Sequence, residues 1–185
     1  MIIPRPYQAE CLECIAKCRL GGAIKALVVM ATRLGKTIMA ALDVKRFLED
    51  PKARLLFLCH KTDILYQARS EFEVVLGHEK TYGFFHGKDK SFHKVDCLFS
   101  SFETMSNYIE MFRPDEFDYV IVDESHHSHA ETYLPIINYF HPKFLLGLTA
   151  TPNRMDQKDI TEIYGKPVYE LPLEKALALG YFDPA

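Results

Sequence analysis

Three short clusters in the chain carry the residue types from which phosphate chemistry is built. Thr32-Arg33-Leu34-Gly35-Lys36-Thr37 follows an apolar run and precedes a segment with helical spacing. A loop at such a junction turns backbone N–H groups toward the N-terminal end of a helix, where the aligned peptide dipoles attract an anion. Lys36 would there reach the β and γ phosphates of a nucleotide, and the Thr37 hydroxyl would hold Mg2+. The pattern G-x-x-x-x-G-K-[ST] is met in part, because Met30 stands where the first glycine would be. A lone Gly-Lys-Thr also arises from ordinary helix-start chemistry. The second cluster, Asp123-Glu124-Ser125-His126, ends an apolar run. Two adjacent carboxylates at the end of a buried strand are costly unless something uses them. Asp123 would bind Mg2+, while Glu124 would orient and deprotonate an attacking water. A helix N-cap explains Asp123 or Ser125 singly, but explains the whole set less naturally. The third cluster is Leu148-Thr149-Ala150-Thr151-Pro152, small hydroxylated residues after another apolar run.

These clusters need elements that bring them together. Short apolar runs at 24–31, 54–59, 81–85, 95–99, 117–122, 144–148 and 168–171 read as strands. Amphipathic segments at 37–49, 62–76, 102–112, 131–140 and 173–179 read as helices, the fourth despite Pro135. Strands alternating with helices imply an α/β fold, a doubly wound and mostly parallel sheet with helices on both faces. In such sheets ligands bind at the carboxyl ends of the strands, where all three clusters fall. The stretches 83–94 and 153–159, rich in Gly, Lys, His and Asn, are expected to be flexible.

The 185 residues suit one domain, with 48% apolar and 25% charged residues and a formal net charge of −3. That charge gives no global basic signature, so any nucleic-acid surface must be local. No apolar run is long enough to span a bilayer, and the N-terminus lacks the pattern of a secretory signal. Five cysteines, an odd number set among apolar residues, fit a reducing cytoplasm. Cys11, Cys14 and Cys18 contain a C-x-x-C, but their spacing with Leu12 and Ile15 is that of one helical face, and neither a fourth ligand nor turn residues accompany them. His126, His127 and His129 likewise lack a fourth ligand for zinc. His78, His86, His93 and His141 are scattered and expected at the surface. Lys88, Lys90 and Lys94 read as a solvated loop before they read as a nucleic-acid track.

Taken in order along nearly the whole chain, these motifs resemble the first RecA-like domain of superfamily 2 DEAD/DEAH-like helicases and restriction-type translocases. Arg5-Pro6-Tyr7-Gln8 is similar to the segment that reads adenine, which implies Gln8 on the base with Tyr7 or Arg5 packed nearby. Residues 30–37 resemble the A-T-G-x-G-K-T loop, and implied ATP contacts come from Thr32, Arg33, Leu34, Gly35, Lys36 and Thr37. Residues 57–67, including His60 and Lys61, and residues 100–105, including Ser101 and Thr104, resemble the two segments that touch the nucleic-acid backbone. Asp123 to His126 resembles the Asp-Glu-x-His box. His126, Thr149 and Thr151 are implied in coupling ATP state to strand binding. The resemblance implies ATP and Mg2+ as cofactors, DNA or RNA as partner with DNA favoured, and a second RecA-like domain.

Two departures bear on activity. Arg33 occupies a position where the resembled loop carries glycine, and a Cβ there obstructs both the backbone conformation and the approach to phosphate. The expectation is that Arg33 weakens nucleotide use; the alternative function is a nucleotide-impaired nucleic-acid-binding module. Residues 1–180 are expected to form the ATP-binding domain, with 181–185 opening a linker toward the second domain. Arginines from that domain would stabilise the developing charge, so the 185 residues alone are expected to turn over ATP feebly. A small-molecule kinase is the third reading, but it gives Thr149 to Pro152 no purpose.

Overall fold

Alternating apolar runs and amphipathic segments resolve, among the described residues, into an eight-stranded sheet with helices on both faces. The computed structural model describes residues 1–87, 89–90, 94–123, 127–150 and 157–181. The strands are β1 (Lys25–Met30), β2 (Leu55–Cys59), β3 (Tyr82–His86), β4 (Asp89–Lys90), β5 (Cys97–Ser101), β6 (Tyr119–Asp123), β7 (Phe144–Thr149) and β8 (Tyr169–Leu171). The helices are α1 (Pro6–Leu20), α2 (Lys36–Phe47), α3 (Thr62–Leu76), α4 (Phe102–Tyr108), α5 (His127–Tyr139), α6 (Gln157–Tyr164) and α7 (Leu173–Ala178), and a 3-10 turn at Ile109–Met111 extends α4.

The sheet order is β4-β3-β5-β2-β6-β7-β1-β8, parallel except for the two-residue β4 against β3. Strands buried on both faces explain the continuous apolar runs. Side chains still alternate between two cores. Leu55, Phe57 and Cys59 of β2 pack with Met39, Val44 and Phe72 on the α1, α2 and α3 face. Leu56 and Leu58 pack with Phe102, Met105, Tyr133 and Ile160 on the α4, α5 and α6 face. Burying one such phenylalanine contributes about 1.5–3 kcal/mol.

One polar group crosses the first core. Asp43 of α2, fully buried, accepts two 2.8 Å bonds from Arg19 and one of 2.7 Å from Tyr119 Oη. Burial and the adjacent Asp43 carboxylate push Tyr119 well above the usual phenol range. The three helical cysteines lie along α1, with Cys11 buried and its Sγ 3.7 Å from Met39 Sδ. Among the described residues no helix is long and apolar enough to cross a membrane.

Three sequence expectations need correction. The stretch expected to be flexible from residue 83 begins inside the sheet: Gly83 to His86 belong to β3 and are buried. The second such stretch ends in α6, whose first residue is Gln157. His86, expected at the surface, is only 9% exposed, whereas His78 and His141 are exposed as expected. The cause is the same at β3: an interior parallel strand carries its pattern one residue past Phe85, and Gly87 with φ +46 makes the turn.

Candidate functional site

The phosphate-loop residues sit where β1 hands over to α2. Met30 is fully buried at the end of β1, so the missing first glycine is a core side chain here. Ala31 N donates to Leu171 O at 2.9 Å, and Leu34 N reaches Ala31 O at 3.4 Å. Between them Thr32 and Arg33 are exposed, while Gly35, Lys36 and Thr37 are half-buried. Arg33 has φ +71 and Gly35 φ +77, both in the left-handed region. The loop thus adopts at Arg33 the conformation that glycine tolerates at no cost. Two left-handed turns in three residues coil the chain ahead of α2, and Met39 N closes its first turn on Gly35 O at 3.0 Å.

The N-terminal segment grips this loop from behind. Tyr7 Oη donates to Leu34 O at 2.9 Å, and Gln8 Nε2 donates to Leu34 O at 3.3 Å and Gly35 O at 3.1 Å. Gln8 Oε1 accepts from Arg5 N at 2.9 Å, and Arg5 Nη1 donates to Tyr7 Oη at 3.1 Å. A Cβ on Gly35 would stand 2.5 Å from Gln8 Nε2, so a side chain there would displace the Gln8 amide, while φ +77 itself favours glycine. Tyr7 also packs against Tyr181, ring centroids 4.7 Å apart. The expected adenine segment therefore meets the phosphate loop directly.

Asp123 ends β6 and is 5% exposed. In register it faces Leu148 of β7, and Thr149 of β7 faces Val29 of β1. β7 thus lies between the carboxylate strand and the phosphate-loop strand, and two strand spacings of about 4.8 Å separate them. Asp123 and the fully buried Thr149 end adjacent parallel strands at the sheet's carboxyl edge, the edge from which β1 leads into the loop before Thr37. The oxygen donors Thr37 and Asp123 match the hard-cation chemistry of Mg2+, which takes one or two carboxylates with substrate phosphates. Glu124, His126 and Thr151 lie outside the described residues.

The strand-contact candidates occupy the other half of the same edge. His60 and Lys61 follow β2 and are exposed. Lys61 N donates to Cys59 Sγ at 3.4 Å, which fixes the turn. Ser101 and Thr104 are buried and already accept bonds: Ser101 Oγ from Thr104 N at 3.2 Å, Thr104 Oγ1 from Gly87 N at 3.1 Å. Each hydroxyl keeps its proton to donate. Two groups here escaped the sequence reading: the buried His86, and the cavity between these loops. Only the continuation of the Phe84-Phe85 run could have signalled the first.

A phosphate loop beside a carboxylate-ended strand, in a doubly covered parallel sheet, defines the P-loop NTPase class. Residues 1–154 match the model of the family described as "Type III restriction enzyme, res subunit", and the chain belongs to that family. It is 27% identical to the type I restriction enzyme EcoAI endonuclease subunit of Escherichia coli, covering 98% of this chain and 23% of that protein. It is also 27% identical to the DNA 3'-5' translocase XPB2 of Sulfurisphaera tokodaii, over 92% of this chain and 36% of that protein. The chain therefore spans from about a quarter to just over a third of these relatives' length. The crystal structure of the Pyrococcus furiosus Hef helicase domain shares the fold, with TM-score 0.74 and 20% identity over 90% of this chain and 37% of that one.

Proposed function

We propose that this chain is the ATP-binding first RecA-like domain of a superfamily 2 motor that hydrolyses ATP to move on or unwind nucleic acid. The observation that carries the reading is the coiled loop from Arg33 to Gly35, joined at one sheet edge by Asp123 and Thr149. Lys36 binds the β and γ phosphates, and backbone N–H groups of the loop cradle them. Thr37 and Asp123 hold Mg2+, which neutralises charge on the phosphates. Glu124 takes the proton of the attacking water, and His126, Thr149 and Thr151 couple the nucleotide to the strand. DNA is favoured over RNA because the restriction subunit and the translocase named above are its relatives. His60, Lys61, Ser101 and Thr104 face the strand's backbone, so binding is sequence-tolerant and salt-dependent.

A second RecA-like domain, entered through residues 181–185, completes the site with arginines that stabilise the developing charge. Such arginines are worth about 10³–10⁵ in rate, so the 185 residues alone bind ATP but hydrolyse it feebly and separate no strands. The test is titration of a fluorescent ATP analogue with Mg2+ into the chain. Binding is expected for the wild type and at least about tenfold weaker for Lys36→Ala, a loss of about 1.4 kcal/mol. Equal affinity in the two proteins removes the phosphate-loop reading. A second reading, a nucleotide-impaired strand-binding module, is favoured by one observation, the Arg33 side chain on a left-handed backbone. No binding by the wild type, with binding restored in Arg33→Gly, selects it.

A further inference from the structure

A cavity of about 370 Å³ opens between the loop after β2, the end of β3 and helix α4. His60, His86, Ser101, Glu103, Asn107 and Tyr108 are among the residues that line it. His86 is 9% exposed and, among the described residues, its Nε2 has no hydrogen-bond partner. Its ring is held edge-to-face by Tyr66 at 5.3 Å and Phe84 at 5.6 Å, so the imidazole is fixed in place. A buried polar atom without a partner costs about as much as a lost hydrogen bond, and such atoms persist in native folds where something else satisfies them. The neighbouring described groups do not: none of them hydrogen-bonds to Nε2, and the nearby Ser100 Oγ donates to Phe85 O instead.

The lining says what the missing partner is. Among its described residues are no lysine and no arginine, and Glu103 contributes a carboxylate. That balance repels a phosphate and accepts a neutral group that both gives and takes hydrogen bonds. Asn107 offers a donor and an acceptor on one amide. Tyr108, 41% exposed, offers a ring on which a flat group can stack. The cavity also lies between His60 and Ser101, the residues assigned above to the strand's backbone. We infer that this cavity seats one unstacked nucleobase of the bound strand, its edge on His86 Nε2 and Asn107 and its face on Tyr108. This rests on the strand-binding reading under Proposed function, and makes domain one grip a base where the rest of that surface grips backbone.

The experiment compares, by fluorescence anisotropy, binding of the 185-residue chain to a short oligothymidylate and to an abasic sugar-phosphate oligomer of equal length. The intact strand is expected to bind about fivefold or more tightly, the lower end of what one stacked base contributes. His86→Phe, which keeps the ring packing and removes the orphaned nitrogen, brings the intact strand's affinity down toward that of the abasic one without loss of thermal stability. Tyr108→Ala, at an exposed position, does the same and serves where His86→Phe fails to fold. Equal, salt-dependent binding of both oligomers by the wild type overturns the base subsite and leaves the strand-binding reading standing. Absence of binding to either overturns both. Retention of the full preference in both variants also overturns the subsite.

Discussion

Arg33→Gly separates backbone strain from side-chain obstruction at the phosphate loop. Arg33 lies at φ +71 and is exposed, so the substitution forfeits no burial. An L-residue in the left-handed region costs about 1–2 kcal/mol relative to glycine. Glycine returns about 0.4–1 kcal/mol of that through the greater freedom of its unfolded chain. At the middle of these ranges the net gain is about 0.8 kcal/mol, which raises the melting temperature by about 1.5–3 °C for a domain of this size. Arg33→Ala keeps the Cβ and the strain and gains nothing, and Arg33→Asn falls between, since a short polar side chain tolerates that region. Calorimetry on the four proteins reads the order directly. Nucleotide titration on the same set reads the other half. The loop already holds the glycine-like conformation, so Arg33 impairs binding only through its side chain's intrusion on the phosphates. Arg33→Gly is then expected to bind ATP about fivefold more tightly, with Arg33→Ala intermediate. Equal melting temperatures for Arg33→Gly and Arg33→Ala would refute the strain argument, and unchanged affinity across the set would refute the obstruction argument.

Gln8→Ala strips two donors from the Leu34 and Gly35 carbonyls, and is expected to lower stability by about 1–3 kcal/mol in urea unfolding. Affinity for ATP and for GTP should both fall, because the bonds lost lie in the phosphate loop; a loss confined to ATP would sink this account. Asp43→Ala leaves the Arg19 guanidinium and the buried Tyr119 hydroxyl without their carboxylate, at a cost of about 3–5 kcal/mol. A midpoint shift worth under about 1 kcal/mol would show that the network is dispensable. Alkaline pH should unfold the domain through its thiols. Burial, reinforced by nearby acidic groups, pushes Cys11 and Cys97 far above the usual thiol range. Folded values raised above unfolded ones give stability that is fully present below about pH 8.5 and is lost as pH rises. Unfolding free energy should fall by about 1.4 kcal/mol per thiol for each pH unit beyond that range. The double variant Cys11→Ala, Cys97→Ala should flatten the profile between pH 8 and 10, and an unaltered slope would assign it elsewhere.

The parallel sheet was legible because strands buried on both faces leave near-continuous apolar runs, as in Leu55-Leu56-Phe57-Leu58-Cys59. Helix α3 was legible to the residue, since Thr62 and Asp63 open it and Gly77, at φ +81, ends it. Strand β3 was read one residue short because His86 looks polar in sequence, while its burial is decided by Tyr66 and Phe84 closing around it. Helix α6 has strong apolar periodicity in Ile160 and Tyr164, but the Asn and Asp before it read as loop. Tyr164 would meet a Cβ on Gly147 at 2.8 Å, a contact between α6 and β7 that no local pattern announces.

The candidate site was legible as a set of motifs but not as a set of bonds, and Gln8 shows why. Motif order placed Gln8 near a base; packing gives its amide a prior use. Both N–H donors go to Leu34 and Gly35 carbonyls, and Oε1 already accepts from Arg5 N. An amide oxygen has two lone pairs, so one acceptor position is left for a ligand. A base read by Gln8 is then read through a donor of its own, such as the exocyclic amine of adenine, unless the loop first releases the side chain. The same residue therefore ties base recognition to the shape of the phosphate loop: a base that pulled Gln8 away would loosen Gly35, the residue whose missing Cβ lets Gln8 approach. Such coupling cannot be written in a short motif. It arises because α1 packs its first turn against the loop, bringing residues 8 and 35 to within hydrogen-bonding distance.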